Sequence, residues 1–185
     1  MARGLLVVDI QRDYFPGGAY PLVGSEDASA AAKQVLGWFR EERVPVVHLR
    51  HVWDAPDAAF MRPGTAGIEI HPDVAPFEGE PVLDKAEPNG FIGTDLEGEL
   101  RSRGVDELVV MGMMSSMCVD ATARAACDLG FGVIVVHDAC AAPDLEFGGV
   151  EVAGASVHAA FMAALADGYA KVVSADEVAA GRPTA

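Results

Sequence analysis

The stretch Leu5-Leu6-Val7-Val8-Asp9-Ile10 is an apolar run with one carboxylate near its end. Short runs of the same kind, rich in Val, Ile and Leu, recur along the chain at 44–49, 81–83, 108–111, 133–136 and 171–173. Continuous apolar runs of this length are typical of strands that are buried on both faces, as in parallel sheets. The sequence therefore predicts a mostly parallel sheet of about six strands, with 5–10 as the first strand.

Helical patterns separate these runs. One apolar helix face, with the spacing i, i+3, i+4, i+7, is formed by Ala32, Val35, Leu36 and Phe39. Further helices are predicted at 94–104, 118–130, 157–165 and from 174 onward. Thr94–Glu97 matches a capping box, and Ser174–Glu177 caps the last helix. Alternation of strands and helices over the whole length predicts a single α/β domain, 1–185, with a doubly wound, Rossmann-like sheet between two helix layers.

Charge and composition exclude several classes of partner. The 185 residues include 13 Lys plus Arg and 28 Asp plus Glu, which gives a net charge of −15 at pH 7. Nucleic acids and anionic membranes require clustered cations, so neither is expected as a partner. No apolar run has the roughly 18 residues that a membrane-spanning helix needs.

The cysteine count points to a reducing compartment. Three cysteines, at 118, 127 and 140, are an odd number and too few for a disulfide framework. The first residues lead directly into a strand-like run and do not resemble a signal peptide. We therefore expect a cytoplasmic protein whose cysteines are free thiols.

Three reactive side chains fall at the carboxyl ends of predicted strands. Asp9 ends the first strand, Lys85 follows the run at 81–83, and Cys118 follows the run at 108–111, where a helix begins. Open parallel sheets bind ligands beyond these ends, near the point where the strand order reverses. Taken singly, the acid can equally be a helix cap or a surface charge, and a lysine is usually solvated.

Cys118 has the surroundings of a nucleophile. The free N–H groups at a helix start favour an anion, which lowers the pKa of a thiol there. The same N–H groups can hold the oxyanion that forms when a carbonyl is attacked. Cys127 and Cys140 are instead expected to be inert core residues.

Neither a metal site nor a phosphate-binding loop is predicted. His48 and His51 lie three residues apart on a predicted strand, so their side chains point to opposite faces. We expect them to be buried or surface histidines. The chain contains neither GxGxxG nor GxxxxGK[ST]. The Pro- and Gly-rich stretch 54–67 is expected to be a long surface loop, which serves either as a lid or binding segment or as a plain connection.

Four stretches carry motifs in a recognisable order. Residues 5–15 contain D-x-Q-x-D-Y-F, 85–96 read K-A-E-P-N-G-F-I-G-T-D-L, 104–130 surround G-M-M-S-S-M-C-V, and 135–140 read V-V-H-D-A-C. Together they resemble the isochorismatase-like cysteine hydrolases, a family that includes nicotinamidases and ureido and carbamoyl amidohydrolases. The resemblance covers residues 4–173 and implies the isochorismatase-like α/β fold.

The resemblance also implies a catalytic triad of Asp9, Lys85 and Cys118. Cys118 would attack a carbonyl to form a thioester, Asp9 would act as general base and then acid, and the Lys85 ammonium would stabilise both anions. The N–H groups of Met114 and Cys118 would hold the oxyanion, beside a cis peptide at Met113–Met114. The implied reaction is hydrolysis of an amide, carbamoyl or ureido C–N bond of a small molecule. True isochorismatases lack the cysteine, so Cys118 argues against vinyl-ether cleavage.

Departures from the family pattern narrow this expectation. Gly90 and Ser115 stand where many members have Ser and Thr. His51 and Trp53 stand where the metal-binding nicotinamidase branch has Asp-x-His. We therefore expect a member that needs neither a metal nor another cofactor and does not act on nicotinamide. By position alone, the expected pocket walls are Phe15, Trp53, Asn89, Phe91 and Met117.

Partners and alternative functions follow from the same resemblance. Beyond a small-molecule substrate, we expect a homo-oligomer, a dimer or a tetramer, because family members commonly form them. Two other functions stay open. One is a small-molecule-binding or stress-associated protein that keeps the fold without turnover. The other is a thiol redox sensor that uses Cys118, although the chain lacks C-x-x-C.

Overall fold

A computed structural model describes residues 2–181, so Met1 and residues 182–185 of the predicted domain lie outside the described residues. Six parallel strands form one sheet in the order β3-β2-β1-β4-β5-β8, and a separate antiparallel hairpin is formed by β6 and β7. The strands are β1 Arg3–Val8, β2 Val46–His51, β3 Val82–Lys85, β4 Glu107–Met113, β5 Gly132–Ala141, β6 Leu145–Phe147, β7 Val150–Val152 and β8 Lys171–Val173. The predicted parallel sheet of six strands is confirmed.

Helices cover both faces of the sheet. They are α1 Ser25–Glu41, α2 Leu96–Ser102, α3 Cys118–Asp128, α4 Gly154–Gly168 and α5 Ala175–Ala180. Buried apolar side chains of α1 and α5 belong to one core, and those of α2 and α3, with Met162 and Leu165 of α4, belong to another. Alternate residues of β1 enter the two cores, with Leu5 and Val7 on one side and Leu6 and Val8 on the other. The predicted three-layer architecture is therefore confirmed. None of the helices among residues 2–181 is both long and apolar enough to cross a membrane.

The order of the strands reverses beside β1. From β1 the chain moves outward to β2 and β3, then returns to place β4 on the other side of β1. Such a reversal leaves a crevice beyond the carboxyl ends of β1 and β4, because the connections leave these strands in opposite directions.

Gly112 permits the close approach of β4 to β1 at this crevice. Its φ is +139°, and a Cβ built on it would lie 2.0 Å from the Val8 carbonyl oxygen. The pairing of β4 with β5 also shifts here, since Val110 pairs with Val135 but Gly112 pairs with Cys140. Only glycine fits, and the irregular end of β4 starts the turn that leads to Cys118.

Several element ends differ from the predictions, because local apolar runs do not define where hydrogen-bonded pairing stops. β2 extends two residues further than 44–49 and ends at His51, whereas β3 includes Lys85. The hairpin of β6 and β7 was not predicted, although Gly148 and Gly149 join the two strands with φ of +62° and +82°.

The two predicted helix caps have different outcomes. Ser174 and Glu177 form a complete capping box at the start of α5. Thr94 does not cap α2 in this way, because α2 begins at Leu96 with Asp95 at the N-cap position, and the Thr94 hydroxyl accepts the Leu96 N–H at 3.3 Å while it donates to the Gly90 carbonyl. The helix thus begins one residue later than the capping box would require, so Glu97 is not at the N3 position.

Candidate active site

Asp9 lies directly after β1, at the switch point of the sheet. Its side chain is completely buried, and its backbone has a φ of +48°, in the left-handed region. The Asp9 N–H donates to the Leu49 carbonyl of β2, which holds the residue in place. A non-glycine residue in this conformation is strained, and such strain is concentrated at functional sites.

Lys85, the last residue of β3, is a buried cation with three acceptors around it. Nζ lies 2.7 Å from Asp9 Oδ2 in an ion pair, 3.0 Å from His51 Nδ1 and 3.0 Å from the Glu87 carbonyl oxygen. Burial lowers the pKa of Lys85, but the nearby Asp9 carboxylate and Cys118 outweigh burial and raise it above its ordinary value. Lys85 therefore stays an ammonium, and an ammonium has only three hydrogens to donate.

Cys118 is the first residue of α3 and is 4% exposed. Burial raises the pKa of its thiol strongly, the Asp9 carboxylate raises it further, and the Lys85 ammonium only partly opposes them. The predicted lowering of this pKa by the helix start is therefore wrong. The raised pKa favours a thiol at rest, because burial disfavours the thiolate and the Lys85 ammonium is already paired with Asp9.

His51 joins this cluster, although its position in sequence suggested an ordinary buried or surface histidine. One ligand atom each from Asp9, His51 and Cys118 lies within 4.8 Å of the others, which is close enough for a metal ion. The Lys85 ammonium, however, contacts Asp9 and His51 and occupies the place of a cation in this cluster. His48 points to the other side of β2, as expected, and contacts Glu80 Oε2 at 3.0 Å.

The backbone that leads into α3 includes two N–H groups without a backbone acceptor, and both belong to residues that line the cavity described below. Ser115 donates to the Ala141 carbonyl and Met117 donates to the Met114 carbonyl, whereas the N–H groups of Met114 and Cys118 donate to no backbone carbonyl within residues 2–181. The Met113–Met114 peptide is cis. The turn therefore leaves both N–H groups available to an oxyanion.

A cavity of about 200 Å³ opens onto Cys118. It is lined by Tyr14, His51, Trp53, Phe60, Ala86, Pro88, Met114, Met117 and Cys118. Trp53 and Met117 thus lie where the sequence placed pocket walls. Tyr14 and Phe60 were not predicted as pocket walls, because Tyr14 lies in the 3₁₀ helix after β1 and Phe60 lies in the long loop, where no periodic pattern indicates which way a side chain points.

The other three predicted pocket residues lie elsewhere. The Phe15 ring stacks on His71, with 3.9 Å between ring centroids, and lines a separate surface cleft of about 420 Å³. Asn89 Oδ1 accepts the Phe91 N–H at 2.9 Å, which fixes the local turn. The Phe91 ring packs against Phe131 in the core beneath α2 and α3.

Asp13 ties the loop 54–67 to the cavity. Its Oδ2 accepts the Met61 N–H at 2.6 Å, and the Met61 side chain is completely buried. The Trp53 N–H donates to the Met61 carbonyl, and the Trp53 and Phe60 rings meet edge to face with centroids 5.4 Å apart. The loop therefore supplies one aromatic wall of the cavity.

Comparison with known proteins agrees with this architecture. The isochorismatase domain matches residues 3–177 of the chain. The chain belongs to the isochorismatase family of hydrolases. YddQ of Bacillus subtilis (strain 168), an uncharacterized member of the isochorismatase family, is 48% identical over 172 residues, which are 93% of this chain and 96% of YddQ.

Two solved structures of the isochorismatase fold are similar to the chain. One, described as an isochorismatase hydrolase from Oleispira antarctica, has 48% sequence identity and a TM-score of 0.94 and covers 97% of each chain. The other, an N-carbamoylsarcosine amidase from Thermoplasma acidophilum, has 27% identity and a TM-score of 0.82, over 95% of this chain and 98% of the amidase.

Proposed function

We propose that this isochorismatase-family chain hydrolyses a C–N bond of a small amide, carbamoyl or ureido compound through a thioester on Cys118. The observation that carries the proposal is the close grouping of Asp9, Lys85 and Cys118, of which Cys118 lines the cavity. Their sequence positions are far apart: Asp9 and Cys118 follow β1 and β4 at the switch point of the sheet, and Lys85 ends β3 on the other side of β2. That a structural relative is an N-carbamoylsarcosine amidase supports the same reaction class.

The high pKa of the Cys118 thiol determines how the reaction begins. Because a thiolate is not present at rest, the thiol proton moves to Asp9 as Sγ attacks the carbonyl carbon. The S–C bond forms, and the carbonyl oxygen becomes an oxyanion that accepts from the N–H groups of Met114 and Cys118. The Lys85 ammonium keeps the site from accumulating an unpaired negative charge.

Asp9 transfers one proton in each half of the reaction. Asp9 donates the thiol proton to the leaving nitrogen as the C–N bond breaks, which leaves an acyl thioester on Cys118. Asp9 then takes a proton from water as the oxygen of that water attacks the thioester. The S–C bond breaks, the acid product leaves, and the proton returns to Sγ.

Turnover and adduct formation test this function. Ammonia release is measured over a panel of amides, ureides and carbamates, and intact mass spectrometry is used to find an acyl adduct. We expect Cys118→Ala to abolish both signals and the matched variant Cys127→Ala to keep them, because Cys127 lies outside the cavity lining. Unimpaired turnover by Cys118→Ala would exclude the thioester route.

A further inference from the structure

His51 is held rigidly in the wall of the cavity. Its backbone is clamped by the buried Gln11 side chain, whose Oε1 accepts the His51 N–H at 2.8 Å and whose Nε2 donates to the His51 carbonyl at 2.9 Å. The ring is fixed on one side by Lys85, whose Nζ lies 3.0 Å from Nδ1. A ring held at both its backbone and one nitrogen keeps one orientation toward the cavity.

The contact with Lys85 defines which ring nitrogen carries the hydrogen. An ammonium can only donate, so Nδ1 of His51 must accept, and the hydrogen of the neutral ring is on Nε2. Burial lowers the pKa of His51, and the Lys85 cation lowers it further, so the ring is neutral near pH 7. Nε2 makes no hydrogen bond within residues 2–181 and is not one of the fully buried polar atoms that lack a partner. His51 therefore presents one uncharged N–H donor to the cavity.

The remaining cavity wall offers no cation to an anionic ligand. Apart from His51 and Cys118, its lining consists of aromatic and apolar side chains and the Tyr14 phenol. Burial raises the pKa of Tyr14 well above its usual value, so this group is also a neutral donor. The Lys85 ammonium does not line the cavity, and its three hydrogens face Asp9, His51 and the Glu87 carbonyl. A carboxylate placed here would lose its hydration without gaining a counter-charge.

We infer that His51 is a specificity-determining residue, which selects small uncharged amides by donating its Nε2–H to a neutral acceptor and leaves carboxylate-bearing amides without a partner. The inference rests on the proposed function, since the ligand is taken to be the compound that Cys118 attacks. The volume of about 200 Å³ limits the ligand to fewer atoms than a drug-sized molecule.

Two alkylating reagents of similar size, one neutral and one anionic, test the inference. Iodoacetamide is a small neutral amide and iodoacetate is the corresponding anion. Sγ displaces iodide from either reagent and loses its proton, which leaves a carbamidomethyl or a carboxymethyl group on Cys118. The rate at Cys118 is followed by peptide mass spectrometry for each reagent, and 2-mercaptoethanol gives the ratio for a free thiol. We expect the amide-to-acid ratio at Cys118 to exceed the free-thiol ratio by about tenfold or more, as for a hydrogen bond gained and a charge left unpaired.

Substitutions of His51 separate the effect of its Nε2–H donor from the effect of its contact with Lys85. In His51→Asn the shorter amide can accept from Lys85 but cannot reach the cavity as Nε2 does, so the ratio is expected to fall about tenfold. His51→Gln reaches the Nε2 position with an N–H and is expected to keep most of the ratio. His137→Asn, a substitution outside the cavity lining, is the matched control and should match the wild type. The His51 ring is neutral near pH 7, so neither substitution of His51 changes the net charge, and the diffuse negative field of the chain cancels in the comparison.

The outcomes distinguish this inference from the proposed function. A wild-type ratio equal to that of 2-mercaptoethanol, a preference for iodoacetate, or an unchanged ratio in His51→Asn would overturn it. If His51→Asn fails to fold, the wild-type ratio and His51→Gln still decide the result. Alkylation needs no turnover, so selective labelling of a protein that hydrolyses no amide would refute the proposed function and leave the role of His51 standing.

Discussion

At the scale of single residues, the D-x-Q-x-D stretch shows how one short motif does three different things. Asp9 contributes its carboxylate to the site, Gln11 clamps the His51 backbone, and Asp13 holds the loop through the Met61 N–H. All three side chains are buried polar groups, which persist only where partners compensate for lost hydration. Asp9 and Gln11 lie between the end of β1 and the 3₁₀ helix Arg12–Tyr14, and Asp13 lies within that helix.

Asp9→Asn is expected to lower both the turnover and the pKa of the Cys118 thiol. Turnover should fall by about a factor of 10³, because the general base is lost. The pKa of Cys118 should fall, since the carboxylate that raises it is gone while the Lys85 ammonium that lowers it remains. The pH dependence of Cys118 alkylation by iodoacetamide measures this second effect. The proposed role of Asp9 would be contradicted by a variant that keeps its turnover or by a thiol that becomes less acidic.

At the scale of elements, the site depends on how strands end. Asp9, Lys85 and Cys118 occupy the carboxyl ends of β1 and β3 and the helix start after β4. β4 reaches this point through Gly112, where its pairing with β5 shifts. The position of Cys118 is therefore set by the backbone of a strand end and not by side-chain packing alone.

Gly112→Ala is expected to destabilise the protein by about 2–4 kcal/mol, as a strained and overpacked substitution does. The new methyl group would lie 2.0 Å from the Val8 carbonyl oxygen, at a φ of +139° that alanine rarely adopts. Gly37→Ala is the matched control, because Gly37 lies inside α1 with no atom near its Cβ position. This control should be stabilised by about 0.5–1 kcal/mol. Urea unfolding measures both, and equal stability of the two variants would contradict the close approach.

At the scale of the whole molecule, Glu80 connects α1, β2 and the segment before β3. Its carboxylate accepts from Arg40 of α1 in a bidentate pair, contacts His48 of β2 and accepts the Phe77 N–H. Burial raises the pKa of Glu80, but these hydrogen bonds outweigh burial and lower it from 4.5 to about 2.

The homo-oligomer expected from the family resemblance stays a prediction.

The lowered pKa of Glu80 predicts part of the acid sensitivity of the fold. A carboxylate whose pKa is lower in the folded state stabilises the protein above its unfolded pKa, and this contribution is lost as the pH falls toward the folded value. The wild type should therefore lose more stability than Glu80→Gln between pH 4.5 and about 2. Thermal unfolding across this range measures the difference, with Glu78→Gln as a control at a neighbouring carboxylate. Parallel curves for wild type and Glu80→Gln would exclude the network as a source of acid sensitivity.

The sequence by itself determined the strand–helix alternation and the three residues proposed for chemistry. Burial on both faces leaves continuous apolar runs, and reactive groups at strand ends stand out against them. The place of His51 in the site could not be predicted, because β2 ends two residues past the apolar run, where its pairing with β3 continues. Only the tertiary structure decided the ionisation of Cys118, the neutral donor of His51 and the aromatic wall from Phe60. Each depends on distances between groups far apart in the chain, since burial and neighbouring charges set a pKa and packing sets a cavity.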